Sequence, residues 1–97
     1  MLNQNLKTDI KKIVFRYLDP KKDKVFVFGS RAFEDHRKFS DVDLGIISKR
    51  KIPSILLSDL EEALEESDIP YTVDVVDFSS VTAKFKNLAL KKIIPLN

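Results

Sequence analysis

Residues 25–44, VFVFGSRAFEDHRKFSDVDL, decide the fold of this chain. The stretch begins with four consecutive apolar residues, which predict a strand that is covered on both faces and therefore lies inside its sheet. Gly29 and Ser30 then predict a tight turn, because glycine permits a backbone conformation or a close approach that a side chain would block. After a short polar excursion, a second strand is predicted over residues 42–47.

Two aspartates one residue apart, Asp41 and Asp43, open this second strand. Because side chains alternate along a strand, both carboxylates are expected on one face, with Val42 on the other. Adjacent carboxylates repel each other unless a cation lies between them, and Mg²⁺ prefers oxygen ligands that include substrate phosphates. The neighbouring turn at Gly29 offers backbone N–H groups to a phosphate. The pattern therefore predicts a metal–nucleotide site.

The next predicted strand, residues 71–77, YTVDVVD, contains two candidates for a third carboxylate. Asp74 and Asp77 are three residues apart, so on a regular strand they face opposite sides and only one can join the pair. Asp74 stands among valines, where a carboxylate is costly to bury unless it is paired or bound to metal. Asp77 ends the strand and can be solvated. We therefore assign Asp74 to the predicted site.

Hydrophobic periodicity predicts helices before, between and after these strands. The first runs over residues 2–17, a short one follows Ser30, and the third starts at either Ser54 or Ser58. A last helix, capped by Ser79 or Ser80, precedes a short edge strand over residues 93–96. The three aromatic residues Phe26, Phe28 and Phe85 are assigned to the core by their spacing.

The predicted order is α-β-α-β-α-β-α. The connection between the first two strands is about a dozen residues, which is marginal for a parallel crossover, so these strands are expected to be antiparallel. The third strand follows a full helix. The expected fold class is α/β (α+β), with a small mixed sheet covered by helices.

Composition bounds the size and the class of the protein. The 97 residues fit a single domain over 1–97, and 17 Lys and Arg against 15 Asp and Glu leave a net charge of only +2. The basic residues are scattered, so no direct nucleic-acid binding is expected. The chain has no cysteine, which excludes thiolate metal sites. A polar N-terminus without a long apolar run predicts a cytoplasmic protein that does not enter a membrane.

The combination of these motifs resembles a known family. Gly29-Ser30, then Asp41-Val42-Asp43, then Asp74 on a strand look like the nucleotidyltransferase fold of the DNA polymerase β superfamily. In detail, FGSRA and SDVDL are similar to the minimal nucleotidyltransferases, small proteins often paired with an all-helical HEPN partner. The resemblance covers nearly the whole chain, and the combined motif is more specific than either part alone.

The resemblance implies an enzyme that uses ATP and two Mg²⁺ ions. Asp41 and Asp43 would bind the ion that holds the triphosphate, and all three aspartates would hold the second ion. Asp74 would also be the general base for an acceptor hydroxyl. Ser30 and the backbone after Gly29 would grip the β- and γ-phosphates.

Arg31 would add positive charge at those phosphates. The implied reaction is transfer of AMP to a protein hydroxyl, which would neutralise a HEPN-type toxin and make this chain its antitoxin. The partners expected are thus ATP and a small helical protein, and the oligomeric state is left open.

Two alternatives remain open from the sequence. In the first, the chain neutralises its helical partner by direct binding, with weak or no catalysis. Such sequences often carry Arg-Gly where this chain has Phe33 and Glu34, and this departure favours the non-catalytic interpretation. In the second, the aspartates are surface or capping residues, which would make the spacing of Gly29-Ser30 and the position of Asp74 coincidental.

Overall fold

A computed structural model describes residues 4–29 and 42–97 of the chain. Within these ranges the chain forms three helices and four strands. In chain order they are α1 (Gln4–Val14), β1 (Asp23–Phe28), β2 (Val42–Ser48), α2 (Ser54–Glu65), β3 (Val73–Asp77), α3 (Ala83–Ala89) and β4 (Ile94–Pro95). None of the helices in this part of the chain combines the length and the apolar character that a membrane crossing requires.

The described strands form one mixed sheet in the order β3-β2-β1-β4. β1 pairs antiparallel with both β2 and β4, whereas β2 and β3 are parallel. The predicted mixed sheet, the antiparallel pairing of the first two strands and the interior position of residues 25–28 are therefore confirmed. The parallel pair is joined through α2, as a crossover requires.

One face of the sheet carries most of the hydrophobic core. α1 and α2 pack on this face through residues spaced three and four apart, which places each apolar stripe against the sheet. The strands contribute every second residue, as expected for one face of a pleated sheet. The buried members of this core include Leu6, Ile10, Val14, Val25, Val27, Val42, Leu44, Ile46, Leu60 and Leu64.

The other face carries a smaller aromatic core. Phe26 and Phe28 from β1 meet Phe78, with ring centroids 5.1 and 5.2 Å from the Phe78 ring and near-perpendicular planes. Gly45, the cross-strand neighbour of Phe26, makes room for these rings. A Cβ atom there would lie 2.6 Å from Phe26 Cζ and 2.8 Å from Phe78 Cε1. A glycine in the middle of β2 is therefore required by packing.

The start of α3 differs from the sequence prediction. The last helix is capped by Thr82, whose hydroxyl accepts a hydrogen bond from Phe85 N at 3.2 Å, and the predicted caps at Ser79 and Ser80 are wrong. These two serines instead bond to Asp77, Ser79 through its N–H to the carboxylate and Ser80 through its hydroxyl to the carbonyl. They thus form the turn that ends β3.

The remaining helix predictions have mixed outcomes. Of the two predicted starts of α2, Ser54 is the one adopted, directly after Pro53. The first helix ends at Val14, three residues earlier than predicted. The short helix predicted after Ser30 lies outside the described residues. The core assignment of Phe85 is wrong, because 41% of this residue is exposed.

A buried carboxylate ties the start of β1 to the end of β2. Asp23 is only 1% exposed, and its carboxylate accepts hydrogen bonds from Arg50 Nη2 at 2.7 Å and from Ser48 Oγ at 2.6 Å. The hydrogen bond from Arg50 is the largest cause that lowers the pKa of Asp23, and the Ser48 hydroxyl and the Asp19 N–H lower it further. Burial acts in the opposite sense, and the net pKa is about 2 instead of 3.8.

The side chain of Asn97 joins the opposite edge of β1 to the preceding turn. Its Oδ1 accepts from Val25 N at 2.9 Å, and its Nδ2 donates to the carbonyls of Pro20 and Asp23 at 2.7 and 2.8 Å. The side-chain amide thereby provides hydrogen-bond partners for three backbone groups, in addition to the pairing made by the two-residue strand β4. Asn97 thus extends the short pairing of β4 with β1.

Replacement of Asp23 is expected to change how stability depends on pH. Because the folded pKa is below the unfolded value, Asp23 contributes its stabilisation above about pH 4 and loses it as the pH falls towards 2. The shift corresponds to about 2 kcal/mol at neutral pH, an upper value because Arg50 is partly solvated. We expect Asp23→Asn to lower the free energy of unfolding by up to this amount and to flatten its pH dependence between 4 and 2.

Urea unfolding at pH values from 7 to 2 measures both effects. Asp59→Asn, at an exposed position of α2, is the matched control and should follow the unsubstituted chain. Equal pH dependence of unfolding in Asp23→Asn and in the unsubstituted chain would contradict the assignment.

Candidate functional site

The register of the sheet places two of the predicted site residues side by side. Asp43 on β2 and Asp74 on β3 are register partners in a parallel pair. Side chains of register partners point to the same face, and neighbouring strands lie about 4.7–4.9 Å apart. Backbone hydrogen bonds of 2.9 Å from Val42 N to Thr72 O and from Phe78 N to Ile46 O bracket this register. The two carboxylates therefore project together from adjacent strands.

Asp77 has the position expected of a residue outside the site. It is the register partner of Ile46, whose side chain is buried in the core beneath α1 and α2. Its carboxylate accepts a hydrogen bond from Ser79 N at 3.0 Å in the turn after β3. The prediction that Asp74, and not Asp77, shares a face with Asp43 is confirmed.

Gly29 brings the predicted turn against Asp43. Its φ angle is +71°, in the left-handed region that favours glycine, and a Cβ atom there would overlap Asp43 Oδ2. Both reasons given for a glycine at this position, an unusual backbone conformation and a close approach, are thus confirmed. Phe28, the preceding residue, is the antiparallel cross-strand partner of Asp43. The end of β1 therefore forms one wall beside this carboxylate.

The two carboxylates differ in their surroundings. Asp43 is half-buried on β2, which has β1 on one side and β3 on the other. Asp74 is exposed on β3, at the edge of the sheet formed by the described strands. Asp74 also lines a groove of about 670 Å³ that Tyr71, Glu61 and Glu65 border. Asp74 is thus accessible from solvent.

Other predicted site residues lie outside the described part of the chain. Ser30, Arg31 and Asp41 belong to residues 30–41, which lie outside the described ranges. Among residues 4–29 and 42–97, no three His, Cys, Asp or Glu side chains form a group that could hold a metal ion. The described part of the site therefore consists of Gly29, Asp43 and Asp74.

Comparison with known proteins identifies the family. The family profile described as polymerase beta, nucleotidyltransferase matches residues 8–96. The chain therefore belongs to the nucleotidyltransferase family, as its motifs predicted. A Haemophilus influenzae protein described as a probable protein adenylyltransferase, MntA, is 37% identical over 67 residues. The match covers 69% of this chain and 59% of that relative, so the chain spans less than two thirds of the relative's length.

Solved structures share the fold. A chain of a toxin–antitoxin complex with AMP-PNP superimposes with a TM-score of 0.76 at 22% identity, over 94% of this chain and 72% of that chain. A second match is to a complex of tri-AMPylated HEPN toxin from Shewanella oneidensis with MNT antitoxin. Its TM-score is 0.74 at 21% identity, over 99% of this chain and 72% of that chain. The predicted nucleotidyltransferase fold is confirmed.

A double-mutant cycle tests the close approach of Gly29 to Asp43. We expect Gly29→Ala to destabilise the chain by about 1–2 kcal/mol from the left-handed backbone alone, and by more from the overlap with the carboxylate. In the background of Asp43→Ala only the backbone cost should remain, because the overlapping atom is Oδ2. The coupling free energy from urea unfolding of the four proteins should therefore be at least about 0.5 kcal/mol.

Gly29→Asn provides the matched comparison. Asparagine tolerates a positive φ better than alanine but still carries a Cβ atom, so it should retain most of the coupling. Additive effects of Gly29→Ala and Asp43→Ala would show that the two residues do not constrain each other.

Proposed function

We propose that this chain is a Mg²⁺-dependent nucleotidyltransferase that transfers AMP from ATP to a hydroxyl group of a partner protein. The proposed partner is a small all-helical HEPN-type toxin, which the modification would neutralise, so that the chain acts as its antitoxin. The register of Asp43 with Asp74 beside Gly29 carries the proposal, because it assembles two carboxylates from adjacent strands on an open face. Family membership and the described activity of the Haemophilus influenzae relative support it.

The residues present suit a hard divalent cation. Asp43 and Asp74 contribute only carboxylate oxygens, the ligand type that Mg²⁺ prefers, and their shared face leaves room for phosphate ligands. Asp41 and Asp43 would hold the ion that contacts the triphosphate, and Asp74 would join them for the second ion. When bound, such a pair of ions stabilises the attacking and the leaving oxygens of an in-line displacement.

The protein groups around these carboxylates would bind and orient ATP. The Ser30 hydroxyl and the backbone N–H groups after Gly29 would donate hydrogen bonds to the β- and γ-phosphates. Arg31 would add positive charge at the same phosphates. Gly29, with its positive φ, allows the chain to turn directly beside the Asp43 carboxylate. The α-phosphorus would thereby be held within reach of Asp74.

Asp74 would act as the general base. Its carboxylate accepts the proton of the acceptor hydroxyl, whose oxygen then forms a bond to the α-phosphorus. The bond from that phosphorus to the bridging oxygen breaks, and pyrophosphate leaves. An exposed carboxylate on an edge strand suits this role, because the acceptor belongs to another protein and has to arrive from solvent. Positioning and charge stabilisation account for most of the catalysis in such transfers.

Transfer of labelled AMP tests the assignment of the carboxylates. The chain is incubated with a purified HEPN-type toxin, the proposed acceptor, together with Mg²⁺ and α-labelled ATP. We expect Asp43→Asn and Asp74→Asn each to lower the transfer rate by about 100-fold or more, the size of effect typical for loss of a charge-stabilising group. Asp77→Asn should retain activity, because the amide oxygen can still accept the hydrogen bond from Ser79 N.

The same experiment separates catalysis from neutralisation by contact. Absence of transfer by the unsubstituted chain, or undiminished transfer by Asp43→Asn, would contradict the proposal. Growth protection against the toxin that survives the loss of both Asp41 and Asp43 would favour the non-catalytic alternative, which the residues Phe33 and Glu34 suggested. Equal loss in Asp77→Asn would point to damage of the strand rather than of the site.

A further inference from the structure

Helix α3 presents an apolar surface that the described part of the chain does not cover. No residue of α3 is buried, and Phe85 and Leu88 are 41% and 61% exposed. Residues three and four apart are neighbours on a helix surface, so Leu88 lies beside both Phe85 and the exposed Lys84. We name Lys84, Phe85 and Leu88 the α3 patch. Single exposed apolar residues are ordinary, but two adjoining ones next to a site indicate an interaction surface.

The α3 patch borders the proposed transfer site. The Phe85 ring lies 6.1 Å from the Phe28 ring, with perpendicular planes. Phe28 is in turn the cross-strand partner of Asp43, and Gly29 follows it directly. α3 therefore lies on the face of the sheet from which Asp43 and Asp74 project. A protein bound to the α3 patch would therefore lie on the same face of the sheet as Asp74.

The charge around the patch indicates the kind of partner. Residues 81–97 contain four lysines and no Asp or Glu, which makes this end of the chain locally basic. α2, on the opposite face of the sheet, contains four acidic residues and no basic ones. Complementary charge directs encounter and suppresses the wrong orientation, so the patch selects a surface that carries carboxylates. The four lysines are Lys84, Lys86, Lys91 and Lys92.

We propose that the α3 patch docks the acceptor protein through a segment in which an apolar side chain is flanked by Asp or Glu. This inference rests on the proposed transfer of AMP to a protein. The apolar side chain would pack against Leu88 and the exposed part of Phe85, and a flanking carboxylate would pair with the exposed Lys84. Aromatic and apolar anchors of this kind carry most of the free energy of an interface. Docking there holds the acceptor hydroxyl next to Asp74.

Steady-state kinetics of AMP transfer to a HEPN-type acceptor protein test this docking. We expect Leu88→Ala and Lys84→Glu to raise the KM for the acceptor by about 10-fold, as loss of an anchor does. The KM for ATP and the kcat at saturating acceptor should stay within about twofold, because neither residue contacts the carboxylates. Leu88 is the preferred position, since Phe85 also packs against Phe28 and Phe78.

Matched controls come from the opposite face of the sheet. Ile55→Ala removes an apolar side chain that is 71% exposed on α2, and Lys11→Glu reverses an exposed charge on α1. Both should leave the acceptor KM unchanged. An unchanged acceptor KM in Leu88→Ala would overturn the proposal. A rise in the KM for ATP instead would assign the patch to the nucleotide, and loss of a dimer in solution would assign it to a second copy of this chain.

Calorimetric titration keeps the inference separate from the catalytic proposal. If the unsubstituted chain binds the acceptor and transfers no AMP, the proposed activity fails while docking remains measurable. Weaker binding in Leu88→Ala than in Ile55→Ala then still supports the α3 patch. Equal binding of the acceptor by both variants would overturn it independently of any turnover.

Discussion

The register of β2 between its two neighbours is the constraint on which the rest of the structure depends. Val42, Leu44 and Ile46 are fully buried on the face that α1 and α2 cover. A slip of one residue would move these side chains to the aromatic face and would bury the Asp43 carboxylate among the helices. Burial of an unpaired carboxylate is far more costly than exposure of a valine. The hydrophobic core thus fixes the position of Asp43.

The two faces of the sheet are packed to different extents. The first is covered by α1 and α2, whereas the second holds a compact group of three phenylalanines and the shallowly packed α3. A face that is covered lightly leaves side chains accessible, and these include Asp74. Stability therefore comes mainly from one side of the sheet and from the start of β1, where Asp23 and Asn97 bind neighbouring elements. In the described part of the chain, the other side retains room for ligands.

Features governed by local sequence were predictable. The apolar run at 25–28 identified an interior strand. The spacing of Asp74 and Asp77 showed that only one of them can face Asp43, and the valines around Asp74 favoured that residue. The face to which each side chain of a strand points follows from its position along that strand, so it can be predicted without knowledge of distant residues. The tight turn at Gly29 was predictable for the same reason, because a turn that directly follows a buried strand favours glycine.

Features that depend on distant partners were not predictable. By residue type, Asp23 is expected in an exposed turn. Its burial depends on hydrogen bonds from Ser48 and Arg50, which are 25 and 27 residues away in the sequence. Asn97 bonds to Val25 across 72 residues. The cap of α3 was misassigned because Ser79 and Ser80 are equally good cap residues by type, and only the position of Asp77 commits them to a turn. The exposure of Phe85 likewise depends on how far α3 stands from the sheet.

The different environments of Asp43 and Asp74 suggest why the site is built from two strands. Asp43 is held between Phe28 and Asp74, with Gly29 against its carboxylate, so its position is strongly restricted. In the proposed function, a carboxylate whose position is restricted suits the binding of ATP, because the phosphates of ATP need a fixed orientation. Asp74 is exposed on the edge strand, where a protein acceptor can reach it. On the proposed assignment, the carboxylate that has to stay in place lies inside the sheet, and the one that has to meet a second protein lies at its border.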